Sequence, residues 1–155
     1  MANIDFDKRS FIKNLCPWAV SFKLQNSNGE VYLEANQKIA INNGEIVTLV
    51  ENGNVLFVGT GNGNHARIYI ENEELRKYVG FESEDGKVKQ FVLNDEECQR
   101  ILSYKTFSVF KEHIENEIVA NHEKHKIMQY ARKIKLNDYD RISFLEEYTG
   151  LKFKE

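Results

Sequence analysis

The sequence predicts an α+β protein. A small antiparallel β-barrel or sandwich occupies residues 1–93, with an N-terminal arm, and a helical domain of about three helices occupies residues 94–155. Two observations carry this expectation. Before Leu93, short apolar-alternating runs are separated by Asn/Gly turns; after it, apolar residues recur three and four apart with few turn residues between them. A third sets the scale: 155 residues, 41% hydrophobic and 29% charged, suit one folded domain or two small ones and not a disordered chain.

The elements follow in order. Ala2 to Asn14 reads as an arm or a short helix carrying Ile4, Phe6, Phe11 and Ile12, with Leu15 just beyond. Pro17 ends it, because the residue before proline avoids the α region. In Trp18–Gln25, Trp18, Val20, Phe22 and Leu24 share one face of a half-buried strand. Asn26-Ser27-Asn28-Gly29 is a turn, since Asn and Gly tolerate positive φ. Glu30–Ala35 and Lys38–Asn42 continue the alternation, and Asn43-Gly44 is a hairpin signal leading to Glu45–Val50. Asn54–Thr60 contains Val55-Leu56-Phe57-Val58, apolar on both faces, and reads as a central strand. After the glycine-rich loop Gly59–Asn64, Ala66–Glu71 is a sixth strand-like run. Asn72 caps a short helix, Glu73–Val79, and Phe81–Leu93 reads as a last hairpin around Glu84-Asp85-Gly86.

Asn94 is an N-cap with Glu97 three residues on, and the helix it opens puts Cys98, Ile101 and Leu102 on one face. A second helix begins near Thr106 or Ser108 with a stripe of Phe107, Phe110, Ile114 and Ile118, resumed by Met128, Ala131 and Ile134. The polar stretch Asn121–Lys126 is either a break or the solvated middle of one long helix. Asn137 or Asp138 caps a last helix carrying Ile142, Leu145 and Tyr148. Gly150 ends it, and Leu151 and Phe153 fold back onto the core.

Charge excludes a strongly basic nucleic-acid-binding domain. Residues 1–93 carry ten Lys/Arg against twelve Asp/Glu, and residues 94–155 carry eleven against twelve. Cys16 and Cys98 stand far apart with no CxxC pair, the usage of reduced, buried thiols in a cytosolic protein. No apolar run approaches the ~20 residues of a membrane span, and Met1–Lys13 lacks the apolar core of a signal peptide.

No catalytic or cofactor motif is specific. His122 and His125 share a helix face with His113 upstream, but zinc needs a third or fourth ligand aimed at the same point, and Lys124 and Lys126 repel a cation. His-Glu-Lys-His is one residue too short for the zinc-protease spacing. Gly59–Asn64 departs from the dinucleotide loop: its third glycine comes one place early and a strand-like run follows where a helix belongs. No G-x-S-x-G occurs. The expectation is therefore no metal, no cofactor and no enzymatic activity.

Two surfaces stand out. Tyr32 and Tyr69 fall on outward strand faces, with His65 and Arg67 beside the glycine loop, and form a candidate interface. Lys124, Arg132 and Lys135 recur near one helix face, with Tyr130 adjacent, and form a candidate nucleic-acid face.

Asn14–Leu33 and Val58–Ile70 have the texture of small structural proteins of tailed bacteriophages, which this chain resembles over about a third of its length. The resemblance implies a virion or assembly component, in which a compact β module docks on other subunits and a helical part serves as tail or clamp. It supplies no catalytic residues. The expected function is a non-enzymatic structural or adaptor subunit of a larger assembly. Its partners would be other protein subunits, in an oligomer, in the cytoplasm of a bacterial host or in the virion. The alternative is a nucleic-acid-binding regulator using the face at 124–135.

Overall fold

The computed structural model describes residues 4–154. The chain is α+β and divides into two compact units, Met1–Val92 and Leu93–Glu155. In the first, β1 (Arg9–Asn14) is the middle strand of an antiparallel sheet, between β4 (Lys38–Asn42) and β5 (Ile68–Ile70). β2 (Val20–Lys23) and β3 (Glu30–Leu33) pair separately as a hairpin, with Val20 opposite Leu33 and Phe22 opposite Val31. Both sheets feed one core, which includes Ile12, Phe22, Leu33, Ile46, Phe57, Ile68 and Ile70. The strands do not close into the expected barrel: the larger sheet ends at β4 and β5.

The arm is the first correction. Residues 1–3 lie outside the described residues, but Arg9–Asn14 is a strand, neither arm nor helix. Its period-two pattern is masked because two of its three inward residues are polar. Ser10 donates to Asn43 Oδ1 and accepts from Asn72 Nδ2. Asn14, fully buried, donates to the Trp18, Leu33 and Glu34 carbonyls and accepts from the Cys16 N–H. Hydrogen bonds offset the desolvation cost of these buried polar groups, so they do not exclude a strand.

The second correction covers 43–58. Asn43-Gly44 does not turn a hairpin; it begins α1 (Asn43–Glu51), capped by the Asn42 side chain accepting from Gly44 N–H. Ile46, Val47 and Leu49 are buried, and Glu45 is only 4% exposed. The Glu45 carboxylate accepts from the Gln25 and Asn26 N–H groups and from Ser27 Oγ, tying the β2–β3 turn to the helix. The expected central strand is a single helical turn, α2 (Val55–Val58), capped by Asn54; it buries Phe57 and leaves Val55 exposed. α3 (Glu73–Tyr78) follows β5 with its Asn72 cap as expected. Phe81–Leu93 holds no ladder. Ser83 and Val88 close one turn, and the segment is otherwise irregular.

Among the described residues the second unit has four helices instead of about three: α4 (Asp95–Leu102), α5 (Phe107–Glu117), α6 (Asn121–Lys133) and α7 (Tyr139–Thr149). The break falls at Ile118–Ala120, upstream of the polar stretch, because the Glu123 carboxylate reaches back to the Val119 and Ala120 N–H groups and starts a new helix. The stretch Asn121–Lys126 is only partly solvated: His122, Glu123 and Lys126 are buried, Lys124 and His125 half-buried and Asn121 exposed. Asn94, Asp138 and Gly150 cap as expected, Gly150 at φ 75°. No helix among the described residues is long and apolar enough to cross a membrane.

Candidate functional site

Of the four candidate interface residues, one lies open. Tyr32 points outward from β3 opposite Ser21 and is 62% exposed. Tyr69 is half-buried on β5, packed against Leu15, Ala66 and Val92, with the Arg76 guanidinium 4.9 Å from its ring. Burial pushes its hydroxyl pKa up, opposed by the charge of Arg76. His65 sits at φ 61° with its ring 5.1 Å from that of Phe91, and its N–H donates to the Phe91 carbonyl. Arg67 is half-buried, its N–H bonded to the Leu56 carbonyl. The structure thus joins His65 and Tyr69 to the Phe91–Val92 segment and puts Tyr32 on the other sheet.

The glycine loop has a structural role. It runs from a helical turn into a strand, the reverse of a phosphate-binding order. The Gly61 and Gly63 N–H groups both donate to the Val58 carbonyl, Gln90 Nε2 donates to the Gly63 carbonyl, and Phe91 N–H donates to Asn64 Oδ1. Gly63 N–H therefore points into the protein, not toward a ligand.

The histidines do not converge. His122 is 1% exposed and His125 half-buried on α6. His113, on α5, stacks on Tyr104 at 4.1 Å and bonds through Nδ1 to Glu117 at 2.7 Å. No group of three or more His, Cys, Asp or Glu among the described residues is arranged to hold a metal ion.

On the basic face, two of three cations have internal contacts. The Lys124 ammonium lies 5.4 Å from the centre of the Tyr148 ring. Arg132 donates to the Lys152 and Phe153 carbonyls and helps line an open depression of about 530 Å³ with Lys135, Leu136, Asn137 and Phe153. Lys135 is exposed at φ 57°.

Sequence reasoning missed a polar network between α4 and α5. Arg100 is 2.5 Å from both Glu97 and Glu117, donates to Tyr104 Oη at 2.6 Å, and meets His113 through their shared partner Glu117. Burial alone would raise the Glu117 carboxyl; hydrogen bonds from Arg100 and His113 outweigh it and hold the group below the usual carboxylate range. The signal was present as Glu97/Arg100 at i, i+3 and His113/Glu117 at i, i+4. The network fastens two helices together.

Cys98 is fully buried, and burial pushes its thiol up to about 12. Only the thiolate is nucleophilic, so Cys98 is expected to resist iodoacetamide at mildly alkaline pH in the folded protein and to react once urea unfolds it. Mass spectrometry of the labelled peptide reads this out, and rapid native labelling would contradict the burial. Comparison with family models, with curated proteins and with solved structures gives no match for this chain.

Proposed function

We propose that the chain is a non-enzymatic structural or adaptor subunit of a larger assembly, of the kind tailed bacteriophages build, working in the host cytoplasm or the virion. The observation that carries this reading is Tyr32, a large aromatic held outward on a two-stranded ribbon with no third strand among the described residues. Open strand edges and exposed aromatics are what a partner subunit covers. The polar chemistry supports the same reading. Asn14, Glu45, Glu123 and Arg141 each bind the chain's own backbone, so these groups build the fold and leave recognition to the surface. The alternative, a regulator gripping nucleic acid through 124–135, has less support because Lys124 and Arg132 have internal contacts.

The test is solution mass by light scattering, at low and moderate salt, for wild type and two variants. Tyr32→Ser is expected to reduce the oligomer and leave the thermal transition in place. Tyr69→Ser is expected to lower stability by about 1–2 kcal/mol, because it removes a half-buried ring and its cation–π contact. A wild type that is monomeric at both salts rules out self-assembly, and Tyr32→Ser melting early would place that ring in the core.

A further inference from the structure

We infer that the outer face of the three-stranded sheet binds single-stranded nucleic acid. Alternation places Ser10, Ile12 and Asn14 of β1 inward, and Arg9, Phe11 and Lys13 on the opposite face. The register puts Ala40 and Lys38 of β4 beside Phe11 and Lys13, and Tyr69 of β5 on the other side of Lys13. Phe11 is therefore the centre of the face, on its middle strand, and is 49% exposed. Val92 packs at the Tyr69 and Leu15 end, so the open part is the part around Phe11.

Three cations frame that ring. The Lys38 ammonium lies 5.1 Å from the ring centroid. Among the described residues neither Arg9 nor Lys13 forms an ion pair. Glu71, just past β5, approaches Lys38 at 3.6 Å, a loose pairing with the lysine side chain 54% exposed. The outward positions within the three strands hold no carboxylate. An isolated exposed phenylalanine is unremarkable, but like-charged residues directly opposite on paired strands, with Cβ atoms about 4.5–5.5 Å apart, destabilise the pairing. Lys13 and Lys38 are direct cross-strand partners, and this repulsion is relieved when an anion lies between them. A flexible phosphate backbone supplies that anion, and its unstacked bases supply flat rings for Phe11. Cations that track the backbone with an aromatic platform between them are what sequence-tolerant single-strand binding requires. The inference adds a nucleic-acid contact to the assembly reading and does not depend on it.

The probe is a fluorescein-labelled oligothymidylate of about 16 nucleotides, read by anisotropy against the full chain. Three neutralised phosphates at a slope of about −0.7 each predict a fall in affinity of roughly 20-fold between about 50 and about 200 mM salt. Phe11→Ala is expected to weaken binding about tenfold with little change in salt slope, since one stacked base is lost. Lys13→Ala should weaken binding and lower the slope, and Glu71→Gln should strengthen binding by removing the nearby negative charge. Phe11 is half-exposed, so Phe11→Ala is expected to keep the wild-type circular dichroism. Lys133→Ala/Lys135→Ala, at and just beyond the C-terminal end of α6, should bind like wild type. No salt-sensitive binding overturns the inference. So does binding that survives Phe11→Ala unchanged and disappears in the α6 variant, which would return the contact to the helix.

Discussion

Gly59→Ala is expected to be among the most damaging single substitutions in the N-terminal unit. Gly59 sits at φ 57°, ψ −118°, a conformation open to glycine and strained for any other residue. Strain is only part of the effect. A Cβ there would lie 2.1 Å from the Asn64 carbonyl oxygen and 2.8 Å from the Ala66 nitrogen, so backbone must move. That backbone is tied in several places: Asn64 carbonyl accepts from Thr60 N–H, Asn64 Oδ1 holds Phe91 N–H, and Arg67 N–H is bonded to Leu56. Conformational strain of roughly 1–3 kcal/mol plus a similar or larger overlap term gives a loss of roughly 3–6 kcal/mol. Gly53 is the matched control, with φ 74° and nothing within 4 Å of the added Cβ. Gly53→Ala should cost only about 1 kcal/mol. Urea unfolding followed through Trp18, the single tryptophan, measures both. Equal losses would mean that close approach at Gly59 contributes nothing beyond the φ they share.

The same loop shows which parts of the fold were legible in the sequence and which were not. Its position was evident from six residues alternating Gly with Thr or Asn, but its neighbours were not. Val55-Leu56-Phe57-Val58 reads as a strand because every residue is apolar, yet only Phe57 is buried. Glu45–Val50 reads as a strand because Ile and Val favour one, and becomes helix because the Glu45 carboxylate is held by a turn some twenty residues earlier. By contrast, the β2–β3 hairpin and the caps Asn72, Asn94, Asp138 and Gly150 depend on contacts within a few residues, and each is where the local pattern placed it.

The candidate surfaces divide along the same line. Tyr32 was legible because alternation on a short ribbon alone decides its direction. Tyr69 alternates just as clearly, but Leu15 and Val92 close over it from distant positions. Lys124 and Arg132 were readable as a charged stripe, whereas Tyr148 and the Lys152 and Phe153 carbonyls that engage them lie about twenty residues downstream. Phe11 was hidden for the opposite reason. Inward Ser10 and Asn14 broke the alternation that would have marked its strand, and with it the outer face of the larger sheet.

In the helical unit the largest loss is expected from Arg141→Ala. Arg141 stands in the first turn of α7, where the helix macrodipole disfavours a cation. Its guanidinium instead serves α4. It donates to the Leu102, Tyr104 and Lys105 carbonyls, at and just beyond the C-terminus of that helix, where positive charge is favoured. The group is 8% exposed and lies 4.8 Å from the Phe110 ring centroid, so water cannot readily replace it. Truncation leaves three carbonyls at a buried helix end and uncovers the Phe110 ring. Hydrogen bonds to charged groups contribute roughly 1.5–3 kcal/mol each without full additivity, so about 3–4 kcal/mol is expected. A unit of this size is stable by only about 3–9 kcal/mol. Arg141→Ala should therefore melt the helical signal in far-UV circular dichroism well below wild type. Arg141→Lys keeps the charge but loses the planar fork, and should recover less than half of the loss. Full recovery with lysine would mean that charge at the end of α4 is enough. A wild-type melt for Arg141→Ala would mean that the three carbonyls are served as well by solvent.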